Sequence, residues 1–253
     1  MEKVFAVGLN IIKRKEKNNM LMNEQNRTSF LNEIASQLGR EMRKVPAADS
    51  KPVNTYPQTR LTEKSLDELC QEFLDFASTQ KVKCVISRPE TLLTDIIALC
   101  EDYGGAPVVT SGDQRLKELG VNQALKEQYD AYEWDPAQGK HNILMAEKAK
   151  VGIVYAEAGL TESGGVVLFS APERGRSVSL LPETSIFILR KSTILPRVAQ
   201  IAQRLHQMAE AGERMPSCIN LIGGPSSTAD IELIKVFGVH GPVHAAYVVL
   251  EDC

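Results

Sequence analysis

The chain has 253 residues, of which 43% are hydrophobic and 24% are charged. These proportions match soluble globular domains, so they exclude collagen-like, fibrous and wholly disordered chains. Twenty-nine lysine and arginine residues stand against 32 aspartate and glutamate residues, which gives a net charge of -3. Nonspecific nucleic-acid binding needs an excess of basic residues, so no nucleic-acid partner is expected. The length favours one large α/β domain over two small ones.

Five cysteines lie far apart without a C-x-x-C pair, at positions Cys70, Cys84, Cys100, Cys218 and Cys253. This spacing indicates a reduced, cytoplasmic protein, and it predicts neither an iron–sulfur cluster nor a structural zinc site. His240 and His244 have the spacing of helical metal ligands, but Gly241-Pro242 between them breaks the helix that such ligands require. No apolar stretch approaches the ~20 residues that span a bilayer, so no membrane span is expected.

The first 60 residues differ from the rest of the chain. Residues 1–21 carry five basic and two acidic groups, and we interpret 1–25 as a disordered extension or as sequence upstream of the true start. A membrane-surface arm is the alternative. Apolar residues at near-helical spacing predict a helix over 26–45, which Pro46 ends. The prolines of 46–60 indicate a linker, so 26–60 form a helical arm that packs on its own core or on a partner.

From residue 61 to residue 253 the pattern is that of a single α/β domain. In its first half, capping boxes at Ser65-x-x-Glu68 and Ser87-x-x-Glu90 predict two helices, and a weaker helix is predicted over 116–126. Short strands are predicted over 82–86 and 107–110. In its second half, continuous apolar runs predict strands that are buried on both faces, over 151–155, 166–169, 186–189, 218–222 and 247–250. A helix over 198–209 would cover them, which predicts a three-layer sandwich with a mostly parallel or mixed central sheet.

The most distinctive loop runs Gly223-Gly-Pro-Ser-Ser-Thr-Ala-Asp-Ile-Glu232. It follows a predicted strand and is predicted to open a helix, so its N–H groups and the positive helix end would form an anion cradle. The loop matches neither a P-loop nor a dinucleotide turn. Alternatively, Ser227-x-x-Asp230 only caps the helix.

Three further segments hold residue types suited to chemistry. The loop over 156–165 places Glu157 and Glu162 among small residues, so Glu162 is a candidate base or ligand anchor; a turn with solvated carboxylates is the alternative. Arg174 and Arg176 lie in a hairpin-like excursion, where a guanidinium fork would suit a carboxylate or phosphate unless it makes surface salt bridges only. The order of the chain alone does not place the loop of His240 beside these segments. His240, Ser226 and Asp230 could be written as a catalytic triad, but the sequence around Ser226 lacks the G-x-S-x-G motif that presents such a nucleophile.

Four motifs resemble the LUD-domain family: Ala156-Glu-Ala-Gly-Leu-Thr-Glu-Ser-Gly-Gly165, Ser179-Leu-Leu-Pro182, the run 224–232, and Gly238-Val-His-Gly-Pro242. The resemblance covers roughly residues 26–253. It implies a fold similar to the ribose-5-phosphate isomerase and CoA-transferase group, whose members bind small anionic metabolites. It also implies a role in bacterial L-lactate oxidation to pyruvate, beside companion proteins rich in iron–sulfur cysteines.

The resemblance also implies which residues form the site. The candidate catalytic residues are Glu162 and His240. The candidate ligand-binding residues are Ser163, Gly164, Arg176, Gly224, Pro225, Ser226, Thr228, Asp230, Glu232 and Gly241. Two positions depart from the family pattern: Ser163 stands where threonine is common and keeps the hydroxyl, whereas Ser227 stands where a basic residue is common and loses an anion contact.

We therefore expect a cluster-free subunit of an L-lactate-oxidising complex that binds a small anionic metabolite or a cofactor of unknown identity. Electrons leaving lactate would need carriers that the dispersed cysteines cannot ligate, so iron–sulfur subunits are the expected partners. Two alternatives stay open. One is a self-sufficient isomerase or acyl- or CoA-transfer enzyme with Glu162 as base or nucleophile. The other is an assembly protein whose arm docks a partner.

Overall fold

The computed structural model describes residues 23–45, 51–229 and 234–253. The chain divides into two compact units, Met1–Val53 and Asn54–Cys253. In the first unit, residues 23–37 form a helix, α1. It ends before the predicted residue 45 because Gly39 adopts φ +65° and the Arg40 N–H bonds back to the Ala35 carbonyl, which is a Schellman-type end. The predicted extension over 1–25 lies almost wholly outside the described residues.

The second unit alternates helices and strands. Its helices are α2 (Tyr56–Thr59), α3 (Leu66–Thr79), α4 (Leu92–Asp102), α5 (Gln114–Glu118), α6 (Val121–Tyr129), α7 (Lys140–Lys148), α8 (Ser177–Leu180) and α9 (Val198–Glu210). Its strands are β1 (Val82–Ser87), β2 (Val108–Thr110), β3 (Tyr132–Glu133), β4 (Val151–Tyr155), β5 (Ala158–Leu160), β6 (Gly165–Phe169), β7 (Thr184–Arg190), β8 (Ile194–Leu195), β9 (Ile219–Ile222), β10 (Ser227–Ala229), β11 (Lys235–Phe237) and β12 (His244–Leu250). Among the described helices, none is long and apolar enough to cross a membrane.

Local sequence signals account for most of these boundaries. The capping box at Ser65 and Glu68 is formed, with both side chains bonded to the opposite backbone N–H, and it starts α3 where it is predicted. The predicted helix over 116–126 is instead two helices, α5 and α6. They separate at Gly120, whose φ of +72° no helix interior accommodates.

The central sheet has six strands in the order β1-β12-β7-β4-β2-β3, and every pairing is parallel. Successive residues of β12 face two separate cores: Tyr247 and Val249 lie in one core, whereas Val248 and Leu250 lie in the other. Helices α4, α5 and α6 cover the second core, and α3, α7 and α8 cover the first. This confirms the predicted three-layer α/β sandwich and explains why its strands are apolar on both faces.

A second sheet packs against the first core, in the order β8-β5-β6-β9. Its β6 strand pairs antiparallel with both β5 and β9. The apolar runs over 166–169 and 218–222 therefore belong to this smaller sheet rather than to the central one. Strand β6 is nevertheless buried on both faces, because Ile201 of α9 packs on the outer face against Val167 and Phe169. Strand β9 is not: it is only half-buried and Leu221 is 55% exposed, so the prediction of a strand buried on both faces is wrong for 218–222.

The prediction of a helix after Gly223 is wrong. Strand β10 pairs antiparallel with β11 to form a hairpin, and residues 230–233 between them lie outside the described residues. The Gly238 N–H bonds to the Ser226 carbonyl beyond the paired strands, and the Lys81 ammonium lies 4.1 Å from the centre of the Phe237 ring. These long-range contacts favour the hairpin over a helix, so no helix N-terminus is available at 227–229 to cradle an anion.

Candidate functional site

A cavity lies between the two sheets, where β2 and β4 reach their carboxyl ends. The enclosed part has a volume of about 20 Å³, and the open space at its mouth brings the total to about 320 Å³. Its polar lining includes Ser111, Arg176, Ser179 and Asn220, and Leu168 and Phe169 add apolar surface. The carboxyl edge of a parallel sheet is where ligands gather in open α/β folds.

A cluster of buried carboxylates and arginines borders this cavity. Asp113 and Glu157 follow β2 and β4 and are only 5% and 7% exposed. Arg115 bonds to Asp113 at 2.6 Å and to Glu157 at 2.8 Å, so it bridges the two carboxylates. Arg174 donates to Glu157 at 2.5 Å, and Arg204 of α9 lies 3.5 Å from its other oxygen. Chain segments far apart in sequence therefore meet at one buried carboxylate.

The surroundings of Asp113 and Arg115 favour the charged forms of both side chains. Burial alone would raise the pKa of Asp113, but the hydrogen bonds and charge of Arg115 outweigh it and lower that pKa. Desolvation alone would lower the pKa of Arg115, whereas its bonds to both carboxylates raise it. Three guanidinium groups share two carboxylates, which leaves one positive charge in excess beside the cavity. The site thus suits an anion.

The loop that presents Arg174 and Arg176 is held in place by its backbone. The Glu173 carbonyl accepts from the Gly112 N–H at 3.0 Å, and the Pro172 carbonyl accepts from the Trp134 indole at 2.9 Å. A Cβ at Gly175 would lie 2.1 Å from the Trp134 ring, so only glycine fits there. The loop is therefore pre-organised before any ligand binds.

Arg176 differs sharply from its neighbour Arg174. Among the described residues, its guanidinium has no carboxylate within salt-bridge distance, whereas Arg174 is paired with Glu157. Arg176 lines the cavity and precedes α8, which crosses the face of the central sheet near Gly152 of β4. It is the cation of this site that is free to bind a ligand.

Other predicted site residues gather at the opposite, amino-terminal edge of the sheet, around the end of α3. Glu162 bonds to Arg60 at 2.7 Å and also pairs with Arg197. The Gln80 amide donates to the Ser163 carbonyl at 3.1 Å, and Cβ atoms at Gly164 or Gly224 would press on the backbone of α3 or of Gln80. The structure thus brings the loops of Ser163 and Gly224 together, but neither lines the cavity beside Arg176.

The remaining predicted residues lie on or beside the β10–β11 hairpin. Ser226 donates through its backbone N–H to the Pro242 carbonyl, and a Cβ at Gly241 would touch Ser226. Pro225 is buried, whereas Thr228 and His240 are exposed. Asp230 and Glu232 lie outside the described residues. The two loops that the sequence could not place relative to each other are therefore neighbours.

Sequence reasoning overlooked Asp113, Arg115, Arg204 and Asn220. One signal was present: Ser111-Gly-Asp113 directly follows a buried strand, and Asp113 caps α5 by accepting from the Arg115 N–H. Arg204 carried a weaker signal: it is a charged residue one helical turn from Ile201 and Met208, on the side of α9 that packs against Phe169. Among the described residues, no group of three or more His, Cys, Asp or Glu side chains could hold a metal ion.

Comparison with known proteins gives the relatives of this chain. The profile of the LUD domain family matches residues 64–250. The protein YkgG of Escherichia coli (strain K12) is 59% identical over 229 residues, which span 90% of this chain and 99% of that protein. Proteins named lactate utilization protein C from Macrococcus caseolyticus and Bacillus subtilis are 42% and 41% identical over 90% of this chain and 96% and 97% of their own lengths. A solved structure of a DUF162 family protein from Deinococcus radiodurans matches with a TM-score of 0.49 and 16% identity, over 74% of this chain and 99% of that one.

The fold and the cavity define a three-layer, mostly parallel α/β domain with an arginine-lined cleft at the carboxyl edge of its sheet. The chain belongs to the LUD domain family. The family resemblance predicted from the four sequence motifs is therefore confirmed, including the similarity to lactate utilization protein C.

Proposed function

We propose that this protein serves L-lactate utilization as a subunit of a cytoplasmic complex that oxidises L-lactate to pyruvate. The supporting observation is the match to proteins named lactate utilization protein C, at about 41% identity over nearly their whole length. Its own part is to bind a small carboxylate in the cavity beside Arg176.

The chemistry of the cavity supports a small carboxylate ligand. The Arg176 guanidinium can donate two parallel hydrogen bonds to a carboxylate, and the excess positive charge of the neighbouring cluster adds to the attraction. Asn220, Ser111 and Ser179 supply polar groups for a hydroxyl or keto oxygen, and Leu168 contributes apolar surface for a short chain. In this proposal Glu157 is a positioning residue, since it orients Arg174 and Arg115 without lining the cavity itself.

The alternative enzyme with Glu162 as base or nucleophile is less well supported. The Glu162 Oε1 accepts from Arg60 and its Oε2 accepts from Arg197, so guanidinium groups occupy both oxygens that a base or nucleophile would need free. A second candidate, an assembly protein, is favoured by one observation: Phe30 on α1 and Leu38 directly after it are 66% and 63% exposed. Loss of co-purifying partners on deletion of residues 23–45, with folding of the rest intact, would support that candidate.

A binding experiment tests the proposed pocket. The protein has a single tryptophan, Trp134, packed against the arginine loop, so its fluorescence and calorimetry together follow titration with pyruvate or L-lactate. Arg176→Ala should weaken binding at least about 10-fold without lowering the melting temperature, and Arg176→Lys should restore only part of it. Arg174→Ala should weaken binding far less but lower stability, because Arg174 is paired with Glu157.

The matched control is Arg88→Ala, since Arg88 is an exposed arginine at the end of β1 that lines none of the cavity and has only a 3.4 Å pair with Glu251. It should change neither binding nor stability. Equal binding losses at Arg174 and Arg176, or loss of stability in Arg176→Ala without a separate binding defect, would place the ligand elsewhere.

Genetic and biochemical tests address the role in the cell. Deletion of the gene should abolish growth on L-lactate as sole carbon source and leave growth on pyruvate intact. The purified chain should contain no iron and should co-purify from its native cell with cysteine-rich iron–sulfur proteins, the proposed partners. Normal growth on L-lactate without a second lactate oxidase, or stoichiometric iron in the isolated chain, would contradict the proposal.

A further inference from the structure

A second, larger cleft adjoins the Arg176 cavity. It has a volume of about 540 Å³, against about 20 Å³ for the enclosed part of the cavity. The two share Phe169, Ser170 and Arg174 in their walls, so molecules bound in both would lie next to each other. We call this second space the α9 groove, because Met208 of α9 and the segment 214–217 that follows α9 form its far side.

One part of the α9 groove is apolar and suited to a flat ring. Phe169 forms part of its floor, and Met208 and Met215 flank it. Met215 is 38% exposed although it is apolar. Arg204 lies 5.5 Å from the centre of the Phe169 ring, which fixes that ring from one side. Thioethers beside an aromatic side chain give a deformable, polarisable surface that favours contact with another aromatic group.

The other part of the groove is suited to an anion. Arg214 lies in its wall, and among the described residues no carboxylate is within salt-bridge distance of its guanidinium. The hydroxyls of Ser170 and Ser217 lie 3.1 Å apart on the same wall. The Ser170 hydroxyl is bonded to the backbone N–H and carbonyl of Cys218, so the Arg214 guanidinium and the Ser217 hydroxyl are the donors left for phosphate oxygens.

Size and charge together select the class of ligand. A small carboxylate would leave most of the α9 groove filled with water, whereas its volume of about 540 Å³ lies within the roughly 300–1,000 Å³ of clefts that hold cofactor-sized ligands. We propose that the α9 groove binds a nucleotide-like organic phosphate, with its aromatic ring on Phe169, Met208 and Met215 and its phosphate at Arg214. The groove places such a ligand beside the occupant of the Arg176 cavity, and its binding is independent of which small carboxylate fills that cavity.

Calorimetric titration of the full chain with ADP, flavin mononucleotide and inorganic phosphate tests this inference. At least one of the two nucleotides should bind with a Kd below about 1 mM, and inorganic phosphate at least about 10-fold more weakly, because it lacks a ring. Arg214→Ala should weaken nucleotide binding about 10-fold or more, and Met215→Ala should weaken it without changing the affinity for phosphate. Arg88→Ala is the matched control and should leave all three affinities unchanged.

The same samples separate this site from the carboxylate pocket. Arg176→Ala should weaken pyruvate binding and leave nucleotide binding within about 2-fold, and Arg214→Ala should do the reverse. Binding of neither nucleotide, equal affinity for phosphate and nucleotide, or unchanged affinity in Arg214→Ala would each overturn the inference. None of these outcomes depends on whether pyruvate binds, so the proposed function is tested separately.

Discussion

Replacement of Glu157 by glutamine removes the charge on which three arginines converge while preserving the shape of the side chain. The carboxylate is 7% exposed and bonds to Arg115 and Arg174, with Arg204 at 3.5 Å. In the variant, the neutral amide keeps one acceptor oxygen and adds an N–H₂ group that faces donors only. Asp113 is left to balance the cluster alone.

The expected loss follows from the burial of the partners. Removal of one member of a buried ion pair costs about 3–5 kcal/mol when both charges are desolvated. Here the side chains of Arg174, Arg115 and Arg204 are 30%, 32% and 47% exposed, so solvent screens part of the uncompensated charge. We expect the free energy of unfolding to fall by about 2–3 kcal/mol. At about 2–4 °C per kcal/mol for a domain of this size, the melting temperature should fall by roughly 4–12 °C.

Urea denaturation followed by circular dichroism measures this loss, and an unchanged m-value shows that the denatured state is not altered. Glu162→Gln is the matched control. Its carboxylate is 27% exposed and pairs with Arg60, which is 44% exposed, and with Arg197. Such partly solvated pairs contribute about 1 kcal/mol or less. A loss in Glu162→Gln equal to or larger than that in Glu157→Gln would refute the assignment of Glu157 as the centre of the buried cluster.

Three further variants probe the loop, the sheet and the cluster. Gly175→Ala should displace the Trp134 indole, because its Cβ would lie 2.1 Å from that ring; an unchanged tryptophan emission spectrum would contradict this. Gly152→Ala would bring a Cβ within 2.0 Å of the Val178 carbonyl oxygen, so urea midpoints should show a loss of about 3 kcal/mol or more. The folded-state pKa of Asp113 is lowered, so its stabilisation is present above the unfolded pKa of about 3.9 and is lost as pH falls through the lower folded value. Urea midpoints of Asp113→Asn from about pH 7 to about pH 3 should therefore fall less steeply than those of the wild type, and parallel curves would show that Asp113 does not contribute.

Local patterns in the sequence were sufficient to predict most helices and strands of the fold. The capping box at Ser65 starts α3, and continuous apolar runs produce the buried strands β4, β7 and β12. These signals act within a few residues, so they are readable without knowledge of the rest of the chain. The same signals failed after Gly223, where Ser227 of the cap-like Ser227-x-x-Asp230 lies in strand β10, because pairing with β11 outweighs a local helix preference.

Within the site, local sequence also fails to distinguish single residues that the fold places in different surroundings. Glu157 and Glu162 stand five positions apart among the same small residues, yet one is buried in the cluster at the carboxyl edge and the other pairs with Arg60 near α3. Arg174 and Arg176 are two positions apart, yet only Arg174 meets a carboxylate. Their sequence context is nearly identical, so it could not distinguish them.

The sequence by itself determined the alternation of helices and strands, the three-layer architecture and the family, because periodicity, caps and motifs are properties of contiguous residues. Only the tertiary structure decided which strands share the central sheet, and that Asp113, Glu157 and Arg204 meet beside one cavity. The residues of this cluster lie as far as 91 positions apart along the chain, since Asp113 follows β2 and Arg204 belongs to α9. An apolar run has the same pattern in a fully buried central strand and in the half-buried β9, and an arginine is equally polar whether or not a carboxylate faces it, so these choices arise from packing alone.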